Sequence, residues 1–144
     1  MTVKIKRLQA DARIPKYAHG PAEDAGVDLY SVEHAEIEPG AVCAVATGLS
    51  IELPPGYEAQ IRPRSGMAFK HAVTVANAPG TIDPAYRGEI KVILINHGRE
   101  TYMIEPGDRI AQMVVARYEA VEWLEESELS GTVRGAGGFG SSGR

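Results

Sequence analysis

A single carboxylate, Asp83, stands in the middle of GTIDPAYRGE (80–89), a stretch with turn residues on both sides. Strand-like VTVAN precedes it and EIKVILIN follows, so the whole reads as a β-hairpin with Asp83 and Tyr86 near its bend. A lone Asp there either caps a turn or serves as a base toward a bound ligand. In RPRSGMAFK (62–70), Pro63 holds Arg62 extended and Arg64 offers a fork of donors. Ser65 and Gly66 follow at the start of a helical turn, with a hydroxyl and unobstructed backbone N–H groups. Such a group suits a phosphate, although the G-x-x-x-x-G-K-[ST] spacing of a P-loop is absent. In EDAGVDLYS (23–31), Asp24 and Asp28 would share one face of a strand. They could hold a hydrated Mg²⁺ or simply solvate a sheet edge. In GDRIAQMVV (107–115), Gln112 is the polar member of an apolar strand, either exposed by alternation or a donor to an anion.

The end of the chain, RGAGGFGSSGR (134–144), has five Gly among eleven residues. It is too poor in apolar groups to order itself by burial, so it is either an idle tail or a part that waits for a ligand. Other chemistries find no support. His19, His34, His71 and His97 are scattered without metal-ligand spacing. Cys43 sits in the apolar run AVCAVA and reads as core. There is no G-x-S-x-G elbow.

The elements that must position these residues are short. Pro-Gly pairs at 39–40, 55–56, 79–80 and 106–107 carry the type II turn signature. Between them YEAQIR (57–62) alternates, EIKVILIN (89–96) is β-branched, and 109–123 is a long apolar-polar run. Strands are also expected near 3–8, 26–30, 41–46, 49–53, 73–76 and 101–104, and one helical turn at 65–70 with Ser65 as its N-cap. Many short strands with Gly/Pro turns imply an all-β sandwich or barrel.

The 144 residues fit one domain with a core of useful size. Net charge is −4, but residues 119–128 hold five Glu, and without them the remainder stands at +1. No basic stripe argues for nucleic acid. The start, MTVKIKRLQA, lacks the apolar region of a signal peptide. No apolar run approaches the roughly 20 residues of a membrane span. Cys43, the only cysteine, cannot form an internal disulfide. These points favour the cytoplasm or an equally reducing compartment, cytoplasmic being the expectation, with no membrane partner.

AGVDLYS, PRSG, GTIDPAYRGE, GDRIAQ and RGAGGFGSSG occur in that order along nearly the whole chain. They resemble the five motifs of the trimeric dUTPase family. Ser142 stands where the family commonly has Thr, and Phe69 and Ala72 are not its usual choices. The resemblance implies a distorted, barrel-like jelly roll in a homotrimer, with 1–133 as the β domain and 134–144 as an arm closing over a neighbour's site. It implies hydrolysis of dUTP to dUMP and pyrophosphate, with Mg²⁺ held mainly by the substrate phosphates and met by Asp28 through water.

Carried over by the same resemblance, Asp83 activates the water that attacks the α-phosphorus. Tyr86 packs under the sugar and leaves no room for a 2′-hydroxyl. The hairpin from Asn77 to Lys91, with Gly80, Thr81 and Ile82, reads uracil through its backbone. Arg64, Ser65, Gly66 and Gln112 hold phosphates. In the arm, Arg134 and Ser141 reach the terminal phosphates, Phe139 stacks on the base and Gly140 lies against the substrate. A dCTP deaminase, similar around IDPAYRGE, and a non-catalytic nucleotide-binding trimer are the rival readings.

Overall fold

A computed structural model describes residues 1–138 and 141. Eleven strands and one helix are assigned among them. They are β1 (Lys4–Arg7), β2 (Val27–Tyr30), β3 (Ala35–Ile37), β4 (Val42–Ala46), β5 (Leu49–Glu52), β6 (Tyr57–Arg62), α1 (Ser65–His71), β7 (Val73–Val75), β8 (Gly80–Ile82), β9 (Lys91–Asn96), β10 (Tyr102–Ile104) and β11 (Arg109–Arg117). The all-β expectation holds, and the fold is of the distorted jelly-roll type. No helix is long and apolar enough to cross a membrane among the described residues.

The strands pair in sheets of order β2-β11-β6-β8 and β4-β9-β7, with two-stranded ladders β1-β5 and β10-β3. Each larger sheet turns one face inward, as period-two alternation requires. Val92 and Leu94 of β9 are buried while Lys91 and Ile93 face out. Ala59 and Ile61 of β6 do the same from the other sheet. On β11, Ile110 and Ala111 are both buried although adjacent. The pairing with β2 slips between Arg109 and Ala111, and the bulge turns two consecutive side chains inward. One polar side chain lies deep in this core. Asn96 is fully buried, and its amide donates to Ile37 O and Glu100 O (2.7 and 2.8 Å) and accepts from Gly98 N (2.8 Å).

Three of the four Pro-Gly turns place their glycine at positive φ, as a type II turn demands: Gly40, Gly56 and Gly107. The fourth differs. Ala78–Pro79 is a cis bond, and Gly80 opens strand β8. The hairpin expectation is met in part. β7 and β9 are antiparallel neighbours, Val73 opposite Asn96 and Val75 opposite Leu94. Between them β8 crosses to the other sheet, where Gly80 lies opposite Ile61 and Ile82 opposite Ala59. The excursion 76–90 is therefore a wide bend that straddles both sheets. Two further expectations shift. The run 109–123 keeps strand geometry only to Arg117, because beyond it no neighbouring strand offers a ladder among the described residues. Cys43 is half-buried at the edge of the core, not inside it.

Helix α1 begins at Ser65, but its N-cap is Arg64, which makes no side-chain cap bond. Ser65 is therefore the first helical residue and not the expected cap. Met67 anchors the helix in the core. The helix ends on Ala72, held in the left-handed region (φ 55°, ψ 30°) with its N–H on Ala68 O. That conformation costs a Cβ-bearing residue about 1–2 kcal/mol, and Ala72 is exposed, so its methyl returns little. Ala72→Gly is expected to stabilise the protein by roughly 0.5–1 kcal/mol. Thermal unfolding at fixed protein concentration checks this; an unchanged or lower midpoint contradicts it.

Candidate active site

The bend 76–90 forms one wall of a cavity of about 640 Å³. Asn77, Thr81, Ile82, Asp83, Tyr86 and Lys91 line it, together with Ala44, Glu89 and Ile93. Six of the expected site residues thus meet around one concavity. Gly80 is buried behind it, against Asn77 and Ile61: a Cβ there would sit 3.3 Å from each of them. Asp83 is exposed, and among the described residues its carboxylate carries no hydrogen bond, while its backbone carbonyl accepts from Tyr86 N (3.1 Å). A carboxylate held by its backbone but with free oxygens can orient a water molecule.

The loop is rigidly tied behind Asp83. Ser50 Oγ donates to Arg87 O (2.8 Å), Ile90 N to Leu49 O (2.8 Å), Gly48 N to Glu89 Oε1 (2.9 Å) and Thr47 Oγ1 to Ile90 O (2.6 Å). Thr47, Ser50 and Glu89 are supporting residues that sequence reasoning missed. Their partners lie about forty positions away in the chain, so no local signal marks them.

A second cluster forms on the sheet β2-β11-β6. Gln112 sits opposite Asp28 on one side and opposite Arg62 on the other. Three separate motifs therefore share one row. Asp28 is half-buried and accepts from Arg64 Nε (3.2 Å) and Arg109 Nη1 (3.3 Å). Arg64 also donates to Arg109 O (3.2 Å). Gln112 Nε2 donates to Pro63 O (2.9 Å), fixing the bend that presents Ser65 and Gly66. Gly26 makes room for it, since a Cβ there would stand 3.0 Å from Gln112 Oε1. Gln112 is thus neither simply exposed nor reserved for an anion; one amide hydrogen is already engaged. Ser65 and Gly66 are exposed, with open space where a Gly66 side chain would be.

Asp24 does not join Asp28. It precedes β2, and its carboxylate accepts from His19 N (2.6 Å) and contacts His19 Nδ1 (3.1 Å). The backbone N–H of His19, then its ring, hold the Asp24 carboxyl below its ordinary range. The shared-face expectation fails because the strand starts only at Val27. Among the described residues no cluster of three or more His, Cys, Asp or Glu could hold a metal.

Arg64, Ser65, Gly66 and Gln112 do not line the Asp83 cavity. Nor do the described residues of 119–141. Residues 119–136 are exposed throughout. Among the described residues, Arg134 Nε donates to Gly137 O (2.8 Å) and Ser141 N to Gly138 O (3.0 Å). Phe139 and Gly140 lie outside the described residues.

The dUTPase family model matches residues 11–143. The chain is 63% identical over 144 residues, 100% of its own length and 97% of the relative's, to the deoxyuridine 5′-triphosphate nucleotidohydrolase of Solibacter usitatus. It is 57% identical to that of Crocosphaera subtropica over 99% of both chains. Among solved structures, the Staphylococcus bacteriophage 80alpha dUTPase with dUPNHPP superposes with a TM-score of 0.91 at 29% identity, covering 99% of each chain. The dUTPase of phage phi11 of S. aureus, in a mutant solved for the coordination of a structural Mg(II) ion, gives 0.82 at 25% identity over 89% of this chain and 98% of its own. With a family model spanning all but its first ten residues and its last, and with relatives this similar along their full lengths, the chain belongs to the dUTPase family.

Proposed function

We propose that the protein hydrolyses dUTP to dUMP and pyrophosphate, with Asp83 as general base. The observation that carries the reading is the cavity in which a carboxylate unpaired among the described residues, an aromatic ring and backbone of a pinned β-bend converge. Asn77, Gly80, Thr81 and Ile82 present backbone donors and acceptors to uracil, and an unmatched buried polar group costs about 1–3 kcal/mol. That cost turns cytosine away. Tyr86 supports the sugar and excludes a 2′-hydroxyl. Asp83 takes the proton of the attacking water, and positioning with charge stabilisation supplies most of the remainder.

Arg64, Ser65, Gly66 and Gln112 bind phosphate, and Arg134, Phe139, Gly140 and Ser141 close from the arm 134–144 over the domain 1–133. A bound Mg²⁺ supplies charge neutralisation on the phosphates. The residues present fit a metal that arrives on its substrate: no carboxylate cluster cages it among the described residues, and Asp28 is already shared by two arginines. Asp28 then holds Arg64 in place and meets the metal through water.

Arg64, Ser65, Gly66 and Gln112 are not among the residues lining the Asp83 cavity, which supports a homotrimer whose sites combine the two clusters. The exposed apolar side chains support it too. Val42 of β4 is 57% exposed, Trp123 89% and Leu129 89%, the kind of apolar surface that marks an interface. Light scattering is expected to give three times the 15.4 kDa chain; an active monomer overturns the assembly. Pyrophosphate release from dUTP, dCTP, dTTP and UTP with Mg²⁺ tests the reaction, and release from dUTP alone is expected. Ammonia from dCTP, or dUTP binding without turnover, overturns it.

A further inference from the structure

Gly88 is a glycine of the bend that its own φ does not demand. Its φ lies outside the left-handed region, so an L-residue could adopt it. What forbids a side chain is Tyr86. A Cβ built on Gly88 would overlap the Tyr86 hydroxyl and stand 2.5 Å from Cζ and 2.9 Å from Cε2. The ring folds back across this bare backbone, and its hydroxyl donates to Glu89 O (2.9 Å). Gly66, by contrast, would meet nothing.

Relief of such an overlap requires either backbone or ring to move. The backbone is held on both sides of Gly88: Arg87 O accepts from Ser50 Oγ (2.8 Å) and Ile90 N donates to Leu49 O (2.8 Å), while the Glu89 side chain accepts from Gly48 N (2.9 Å). Among the described residues the ring is held by one hydrogen bond; Tyr86 is 43% exposed and lines the cavity. It is the part that yields, and it yields into the space beside Asp83.

We infer that Gly88 is a positioning residue that seats the Tyr86 ring, and through it sets the discrimination between deoxyribose and ribose triphosphates. The inference rests on the reading of Tyr86 as the sugar platform. A side chain at 88 displaces the platform without touching substrate.

The test is a double-mutant cycle read as the ratio of kcat/KM for dUTP to that for UTP, in wild type, Gly88→Ala, Tyr86→Ala and the double variant. Gly88→Ala is expected to lower the ratio roughly tenfold or more. In the Tyr86→Ala background, where the overlap is gone, Gly88→Ala is expected to leave the ratio within about twofold. If Gly88→Ala lowers the yield of folded protein, recovery of that yield in the double variant reads the same contact. An unchanged ratio in Gly88→Ala with a lowered one in Tyr86→Ala overturns the role of Gly88 alone. An equal loss in both backgrounds, or misfolding in both, does so as well. An unchanged ratio in Tyr86→Ala overturns the sugar-platform reading itself.

Discussion

Asp83→Asn is expected to lower kcat by roughly 10²–10⁴-fold while the fold and dUTP binding persist. The amide is isosteric with the carboxylate, and Asp83 is exposed with no side-chain hydrogen bond among the described residues. No packing or ion pair is therefore lost. The bend stays in place because it is fixed by Thr47, Ser50 and the Gly48–Glu89 bond, none of which involves the Asp83 side chain. What disappears is the ability to accept a proton from water. KM should change little, since an interaction used only as the transition state forms appears in kcat. Single-turnover hydrolysis and binding of a non-hydrolysable analogue separate the two quantities. A variant within about threefold of wild-type kcat removes Asp83 from the role of base.

Deleting residues 134–144 is expected to lower kcat/KM for dUTP on the order of 10²-fold or more and to leave the ligand-free protein as stable as before. The described residues 134–138 bond only within 132–141, so the core loses nothing with them. Arg134→Ala is expected to cost more in kcat than in KM, because its contact strengthens as charge moves to the leaving pyrophosphate. Phe139→Ala removes base stacking worth about 1–3 kcal/mol, or roughly 5–150-fold in kcat/KM. Amides of 134–138 should gain exchange protection when an analogue and Mg²⁺ bind. Full activity in the truncated protein would return the segment to an idle tail.

Much of this protein is local chemistry, and the sequence alone determined it. Alternation in YEAQIR set the inward face of β6, Ala59 and Ile61. Pro followed by Gly set three turns, because only glycine takes their positive φ cheaply. Five short motifs in order carry the family's signature in the chain itself. The helix expected at Ser65 does begin there, with the cap one residue earlier, at Arg64.

Long-range pairing belonged to the tertiary structure. A strand's residues state which face is apolar, but not which neighbour it hydrogen-bonds. Hence β8 crosses to β6 and widens the hairpin into a cavity wall. Register likewise sets Gln112 between Asp28 and Arg62, and brings Arg64 and Arg109 onto one carboxylate from 36 and 81 residues away. Asp24, equally acidic in sequence, is left outside because it lies before β2 and is spent on His19. The need for glycine at 88 is of the same kind: its backbone is ordinary, and only the folded-back ring of Tyr86 excludes a side chain there.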